Sequence, residues 1–333
     1  MIIETKSYPR AALIGNPSDG YFGKTIAFVF SNFSARVQLY HTPELEVIPE
    51  KLDVAKFGNI RELAEYVELN GYYGGLRLLK ASIKVFYDYC RRNNIHLDAR
   101  NFTIRYKSDI PLRLGLAGSS AIITACYKAL MTFYGIVIPK PVLANLILSV
   151  ETDELGISAG LQDRVAQVYE TPVFMDFDRS IMEKQGYGNY ETLDAENFLN
   201  LYIAFRRNLS EGTEVTHNNL RARFNIGEQA VLDAMKEWAD LTVQFKEALA
   251  GRDCDRIARL INRNFDLRRS LITIAPGNIE MVEAARSVGA SAKFTGSGGA
   301  IIGTYTDESM FEALKKTMNK RGIEVIKPEI VNS

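Results

Sequence analysis

The sequence predicts an α+β protein of two domains. The chain is 333 residues long, against roughly 100–200 for a typical single domain. Its first forty residues alternate in the manner of β-strands, whereas 76–91, 228–250 and 254–271 carry the apolar spacing of amphipathic helices. The second half interleaves strand-like and helix-like segments, as an α+β layer does. Between the halves, Asp178 to Phe198 has no strong period and reads as a crossover, which divides the chain into 1–185 and 186–333.

Taken in order, Arg10 to Ile14 is a short buried strand ending at Gly15, and Asn16-Pro-Ser-Asp-Gly20 is a turn cluster. Ile26, Phe28 and Phe30, then Ala35, Val37 and Leu39, mark two more strands. Ser18 to Thr25 imitates a phosphate-binding loop ending in Gly-Lys-Thr, but such a loop must open a helix and this one opens a strand. Leu45 to Ile60 reads as loop and Ile60 to Asn70 as a short helix. Tyr72 and Tyr73, in Gly-Tyr-Tyr-Gly-Gly, fit core packing better than sugar stacking. Leu76 to Arg91 is a helix with Leu79, Ile83, Phe86 and Tyr87 on or near its apolar face, and Phe102 to Lys107 is a strand. Helices follow at 121–134, 139–156 and up to Tyr169, then a strand at Pro172 to Phe177. In the second half, strands at 199–205, from Ala300 after the 293–299 glycine cluster, and at 323–326 alternate with helices at 228–250, 254–271, 279–288 and 310–321, and Ser210 to Phe224 is a polar loop-helix.

Composition narrows the function. Lys plus Arg and Asp plus Glu both number 40, so no global basic field invites nucleic acid or an anionic membrane. No apolar run reaches membrane-spanning length, and the N-terminus has no signal-peptide core. Cys90, Cys126 and Cys254 are scattered without metal-ligand spacing and read as buried thiols of a reducing compartment, placing the protein in the cytoplasm. His41, His96 and His217 have no catalytic or metal spacing and read as structural.

The most informative stretch is Pro111-Leu-Arg-Leu-Gly115-Leu116-Ala117-Gly118-Ser119-Ser120-Ala121, which leads into an apolar helix. Glycines let the backbone curl, and the first turn of a helix offers free N–H groups and partial positive charge to a phosphate. The two hydroxyls suit phosphate oxygens or a hard cation such as Mg²⁺. An ordinary small-residue helix cap has the same composition. A second small-residue stretch, Gly156 to Gly160, opens a helix carrying Asp163, where an acid also favours the helix dipole. A third, Lys293-Phe-Thr-Gly296-Ser297-Gly298-Gly299, precedes a strand and so is no dinucleotide fingerprint.

Together these motifs resemble the GHMP kinases, the family of galactokinase, homoserine kinase, mevalonate kinase and phosphomevalonate kinase. Pro111 to Ala121 fits the middle signature, Arg10-Ala-Ala-Leu-Ile-Gly-Asn16-Pro-Ser-Asp19 the first, and Lys293 to Ala300 the third. Gly-Asn-Pro-Ser-Asp followed by Tyr21-Phe-Gly, Gly-Tyr-Tyr-Gly-Gly and Leu-Gln-Asp163-Arg164-Val-Ala-Gln-Val-Tyr are shared with the plant-type glucuronokinase branch. The resemblance implies an N-terminal α/β domain with a left-handed β-α-β crossover, a C-terminal ferredoxin-like domain, and a site between them. It implies ATP-dependent phosphorylation of the anomeric hydroxyl of D-glucuronate with Mg²⁺. The implied roles are Asp163 as proton acceptor with Arg10 near it, Ser120 and Glu151 as Mg²⁺ ligands, and residues 111 and 115–121 as the ATP cradle. Asn16, Asp19, Tyr21, Arg164 and Gly296 to Gly299 are the implied substrate side.

Asn16-Pro17 departs from the galactokinase pattern, which puts galactose recognition in doubt. A uronate needs a cation for its carboxylate, and Arg164, Arg77, Lys24 and Lys293 are candidates the sequence does not rank. Two other readings stay open: a kinase for galacturonate, a neutral hexose or a heptose phosphate, and a sugar sensor that kept the fold. The expected partner is a small-molecule uronic acid, with no nucleic acid or membrane, in a monomer or homodimer.

Overall fold

The strands of the first forty residues do not share one sheet. In the computed structural model, which describes residues 2–50, 53, 74–198, 200–206 and 220–332, they part between two compact units. One unit is Met1–Pro9, Phe33–Ile110 and Gly118–Val168, and the other is Arg10–Asn32, Pro111–Ala117 and Tyr169–Ser333. Compactness therefore follows interleaved segments of the chain and not a single cut.

In the first unit, β1 (Ile2–Ser7), β4 (Ala35–Thr42) and β6 (Asn101–Ser108) pair antiparallel, and β5 (Glu46–Ile48) adds a parallel edge, giving the order β1-β4-β6-β5. The alternation at 35–39 is realised: Ala35, Val37 and Leu39 are buried while Arg36 is exposed. α2 (Gly118–Tyr134) packs on β1 and β4, anchored where Thr5 donates to the Ala125 carbonyl at 2.6 Å. α1 (Gly75–Arg92) packs on α2, with Phe86 edge-on to Tyr127. Burying each such ring is worth about 1.5–3 kcal/mol. α3 (Lys140–Ser149) runs directly into a turn of π-helix, Val150–Glu154, and α4 (Leu161–Tyr169) follows after a short loop.

In the second unit, β2 (Arg10–Ile14), β3 (Lys24–Val29), β7 (Val173–Asp176) and β8 (Asn189–Thr192) form one antiparallel sheet. β10 (Lys293–Phe294), β11 (Ala300–Thr304), β9 (Leu201–Phe205) and β12 (Glu324–Ile326) form the other, also antiparallel. The Ala12 amide donates to the Thr295 carbonyl at 2.8 Å and joins them. α8 (Cys254–Leu271), α9 (Pro276–Arg286) and α10 (Glu308–Asn319) cover the second sheet around Phe265, Met281, Phe294 and Leu314. α7 (Gln229–Ala250) packs on β3 and α8 and buries Trp238 and Phe245 completely.

Several expectations change. Residues 46–48, read as loop, are a strand, and residues 178–198 hold α5 (Arg179–Gln185) and β8. No residue of α5 is buried, so it carries no apolar stripe from which a period could be read. Tyr87, expected at the apolar face of α1, is 54% exposed. Cys254 is exposed at the first position of α8, not buried like Cys90 and Cys126. His41 and His96 are exposed. The expected helix at 60–70, Tyr72, Tyr73 and the whole of 210–219, His217 included, lie outside the described residues. No helix among the described residues is long and apolar enough to cross a membrane.

Candidate active site

Within the second unit, two of the three predicted glycine clusters lie against each other. Arg113, Gly115 and Ala117 have φ of 59°, 63° and 62°. Left-handed residues at alternate positions belong to the pattern that turns backbone N–H groups toward a common anion. The loop is clamped to β2, since the Arg10 amide donates to the Leu116 carbonyl at 3.0 Å. The buried Arg10 guanidinium donates to the Gly115 carbonyl at 3.2 Å and to the Thr295 carbonyl. A Cβ on Gly115 would sit 2.9 Å from the Gly298 carbonyl oxygen, and one on Gly296 would run into the Gly115 carbonyl and lie 3.0 Å from Arg10. Gly115 thus meets Gly296, Ser297 and Gly298 beside Arg10, and Gly299 lies against Arg113 and Leu114.

The turn after β2 brings in the expected substrate residues. Gly15 ends the strand at φ +88°, where a side chain would collide with the Lys24 carbonyl. Asn264, one side chain from α8, accepts from the Gly15 amide at 2.7 Å and donates to the Asn16 carbonyl at 3.1 Å. Asn16, joined to Pro17 by a cis peptide, donates to the Gly296 carbonyl at 3.4 Å and leaves its Oδ1 buried without a hydrogen-bond partner among the described residues. A ligand hydroxyl satisfies such an atom. Asp19 and Tyr21 stand on the 3₁₀ turn Ser18–Tyr21.

Arg268, a turn further along α8, is buried and donates to the Gly296 carbonyl at 2.8 Å and the Ser297 carbonyl at 3.4 Å. Burial pushes its guanidinium down to about 10 against the favourable fields of Asp19 and Tyr21, so it stays charged at neutral pH. Lys293 is buried with its ammonium on the Ala12 and Phe294 carbonyls, both at 2.7 Å. Desolvation, helped by Arg268 and Arg10, holds it well below the usual lysine range. Arg10 and Arg268 make this region electropositive around the glycine loops, and their charge disfavours a further one on Lys293.

Asn264 and Arg268 were missed from sequence. The signal was present: both fall on the helix face formed by Ile257, Leu260, Ile261 and Phe265, where a polar residue is out of pattern.

The first unit carries the remaining expected residues. Gly118, Ser119, Ser120 and Ala121 form the first turn of α2, with Ser120 and Ala121 buried. Glu151 is 3% exposed on the π turn, a geometry that recurs at functional sites. Arg164, also 3% exposed, pairs with Glu151 Oε2 and donates to the Gly160 carbonyl at 2.8 Å and Asp163 Oδ2 at 3.3 Å. One buried guanidinium therefore holds two acids: Glu151, enclosed, and Asp163, whose side chain keeps 21% of its surface. No cluster of three His, Cys, Asp or Glu side chains able to hold a metal occurs among the described residues. Mg²⁺ does not require one, since it takes one or two carboxylates together with phosphate oxygens and water. Glu151 offers a buried carboxylate and Ser120 a second hard oxygen, so the donor set fits that ion.

Among the proposed carboxylate binders, Lys24 pairs with Asp176, Arg164 with Glu151, and Lys293 with carbonyls, while Arg77 is half-buried on α1.

The profile of the GHMP kinases N terminal domain matches residues 77–171, and that of the GHMP kinases C terminal matches residues 245–324. A protein named probable glucuronokinase 2, from Arabidopsis thaliana, is 44% identical over 308 residues, covering 90% of this chain and 84% of its own. Glucuronokinase 1 of the same plant is 42% identical over 306 residues with the same coverage. The fold matches Lactococcus lactis galactokinase complexed with galactose at a TM-score of 0.75 and 16% identity, over 100% of this chain and 94% of that one. With glycine loops, acids and arginines in this order and relatives this similar over most of their length, the chain belongs to the GHMP kinase family.

Proposed function

We propose that this chain is an ATP-dependent sugar 1-kinase that converts D-glucuronate and ATP into glucuronate 1-phosphate and ADP. The observation that carries the chemistry is the arrangement of Asp163, Arg164 and Glu151, in which a partly exposed carboxylate is tied through one guanidinium to a buried one. Kinship with two proteins named as glucuronokinases supports the choice of sugar.

In this reading the loop at 111–117 and the first turn of α2 receive the triphosphate through backbone N–H groups and the Ser119 and Ser120 hydroxyls. Asn16, Asp19, Tyr21 and the Gly296–Gly299 loop hold the sugar. Asp163 accepts the proton of the anomeric hydroxyl as its oxygen bonds to the γ-phosphorus, and the bond from that phosphorus to the bridging oxygen breaks to release ADP. Arg10 contributes positive charge toward the transferring group. Ser120 and Glu151 would hold a Mg²⁺ ion, which would supply neutralisation of the triphosphate charge. Residues 1–185 supply ATP binding and 186–333 complete the enzyme, which acts in the cytoplasm as a monomer or homodimer.

Phosphorus NMR with Mg-ATP and glucuronate, galacturonate, glucose, galactose or a heptose 7-phosphate tests the reading. We expect an anomeric phosphate signal with glucuronate. Asp163→Asn should lower turnover by about 10²–10⁴-fold and leave ATP binding largely intact. A signal with a different sugar alone would replace the substrate, and near-normal turnover in Asp163→Asn would remove Asp163 as the base.

A further inference from the structure

Resting on the reading above, a uronate's carboxylate needs a cation beside the expected sugar residues, and all four candidates drawn from sequence already have interactions of their own. Within the second unit, Arg10 and Arg268 are buried and spend their N–H groups on carbonyls of the glycine loops. Arg221, on α6 (Leu220–Asn225), differs from both. It is exposed, and its guanidinium carbon lies 4.2 Å from the centroid of the Tyr21 ring. Three residues along the same short helix, Phe224 packs on Tyr21 at 4.9 Å between centroids. Residues three apart share a helix face, so Arg221 and Phe224 grip one ring together.

The opposite side of the contact is shaped for the same guanidinium. A Cβ added at Gly20 would sit 3.1 Å from Arg221 Nη2, so a glycine leaves the arginine room over the turn that also carries Asp19. Arg221 makes no ion pair with any described acid. Stacking on an aromatic ring restricts a guanidinium while leaving its N–H fork able to receive a carboxylate in two parallel hydrogen bonds.

We infer that Arg221 is the specificity-determining residue that recognises the carboxylate of the sugar acid, with Tyr21 as the platform that orients it. The surrounding charge is consistent with this. Burial raises the Tyr21 phenol, Arg221 opposes that shift, Asp19 adds to it and Arg268 opposes it, which places two arginines and one acid around a single ring.

The test compares D-glucuronate with its neutral isostere D-glucuronamide in wild type, Arg221→Ala and Arg221→Lys. It uses KM for the acid and the inhibition constant for the amide, with thermal melting and ATP affinity as folding controls. We expect Arg221→Ala to raise the glucuronate KM about 10- to 150-fold, the range of a lost charge-assisted hydrogen bond. The amide constant should move less than about threefold by the same reasoning, and Arg221→Lys should restore part of the discrimination. Equal losses for acid and amide, or an unaltered ratio, overturn the inference while leaving the kinase reading in place. A wild type that turns over another sugar and not glucuronate overturns the substrate reading and this inference with it.

Discussion

Arg164→Met separates the roles of the buried acid pair. The substitution removes the guanidinium and keeps most of the apolar stem. Glu151, 3% exposed, loses its partner and becomes a buried carboxylate without a counter-charge. The hydrogen bond to the Gly160 carbonyl and the contact to Asp163 go with it. Removing one member of a buried ion pair costs about 3–5 kcal/mol, so urea unfolding at pH 7.5 should show a loss of that order. The variant should also be pH-dependent in a defined direction. Without Arg164, burial raises the Glu151 pKa in the folded state above its unfolded value. The folded protein then takes up a proton more readily than the unfolded chain, so the deficit relative to wild type shrinks as pH falls from 8 to 5. Adding Glu151→Gln should recover part of the loss, because the orphaned charge is gone. A deficit under about 1 kcal/mol, or one that ignores pH across this range, would refute the view that Arg164 is needed to keep Glu151 charged and buried.

Two further outcomes follow from the second unit. Gly115→Ala places a side chain at φ +63° and 2.9 Å from the Gly298 carbonyl oxygen. It should cost about 1–3 kcal/mol and raise the KM for ATP, read by denaturation and steady-state kinetics. Lys293 has its pKa depressed in the folded state, so the unfolded chain holds the proton at pH values where the folded one has lost it. Stability of wild type relative to Lys293→Met should therefore rise as pH increases from the folded pKa toward 10.5, by up to about 1.4 kcal/mol per unit, and a flat difference between pH 7 and 10 would contradict this.

Much of this was legible because the relevant residues act locally. Gly115, Ser119 and Ser120 announce a curled backbone opening a helix, and the strand after Lys24 excludes the imitation phosphate loop. What stayed hidden depends on which residues meet after folding. Nothing near Arg10 in the chain indicates that its guanidinium will bridge Gly115 and Thr295, 105 and 285 residues away. Glu151 and Asp163 were legible as acids, but the tie between them through Arg164 needs the π turn, which looks like ordinary helix in sequence. β5 escaped because three residues at a parallel edge are too few to establish a period. Arg221 escaped because its partner ring lies 200 positions earlier, on a turn that reads as polar punctuation.

The interleaving of the two units has a consequence for how the chain is made. By the time Val168 leaves the ribosome, every segment of the first unit has been synthesised, whereas Arg10–Asn32 belongs to a unit whose other main segment begins at Tyr169 and ends at Ser333. At about 5–20 residues per second, strands β2 and β3 wait on the order of ten to fifty seconds for β9, β11 and α8. During that interval an apolar hairpin whose strands, Ala11–Ile14 and Ile26–Phe30, are destined for complete burial is without its eventual covering. Synthesis rate and holding chaperones should thus govern the yield of this protein more strongly than its final stability does, and a fragment ending near residue 168 should expose a sticky hairpin beside an otherwise complete unit.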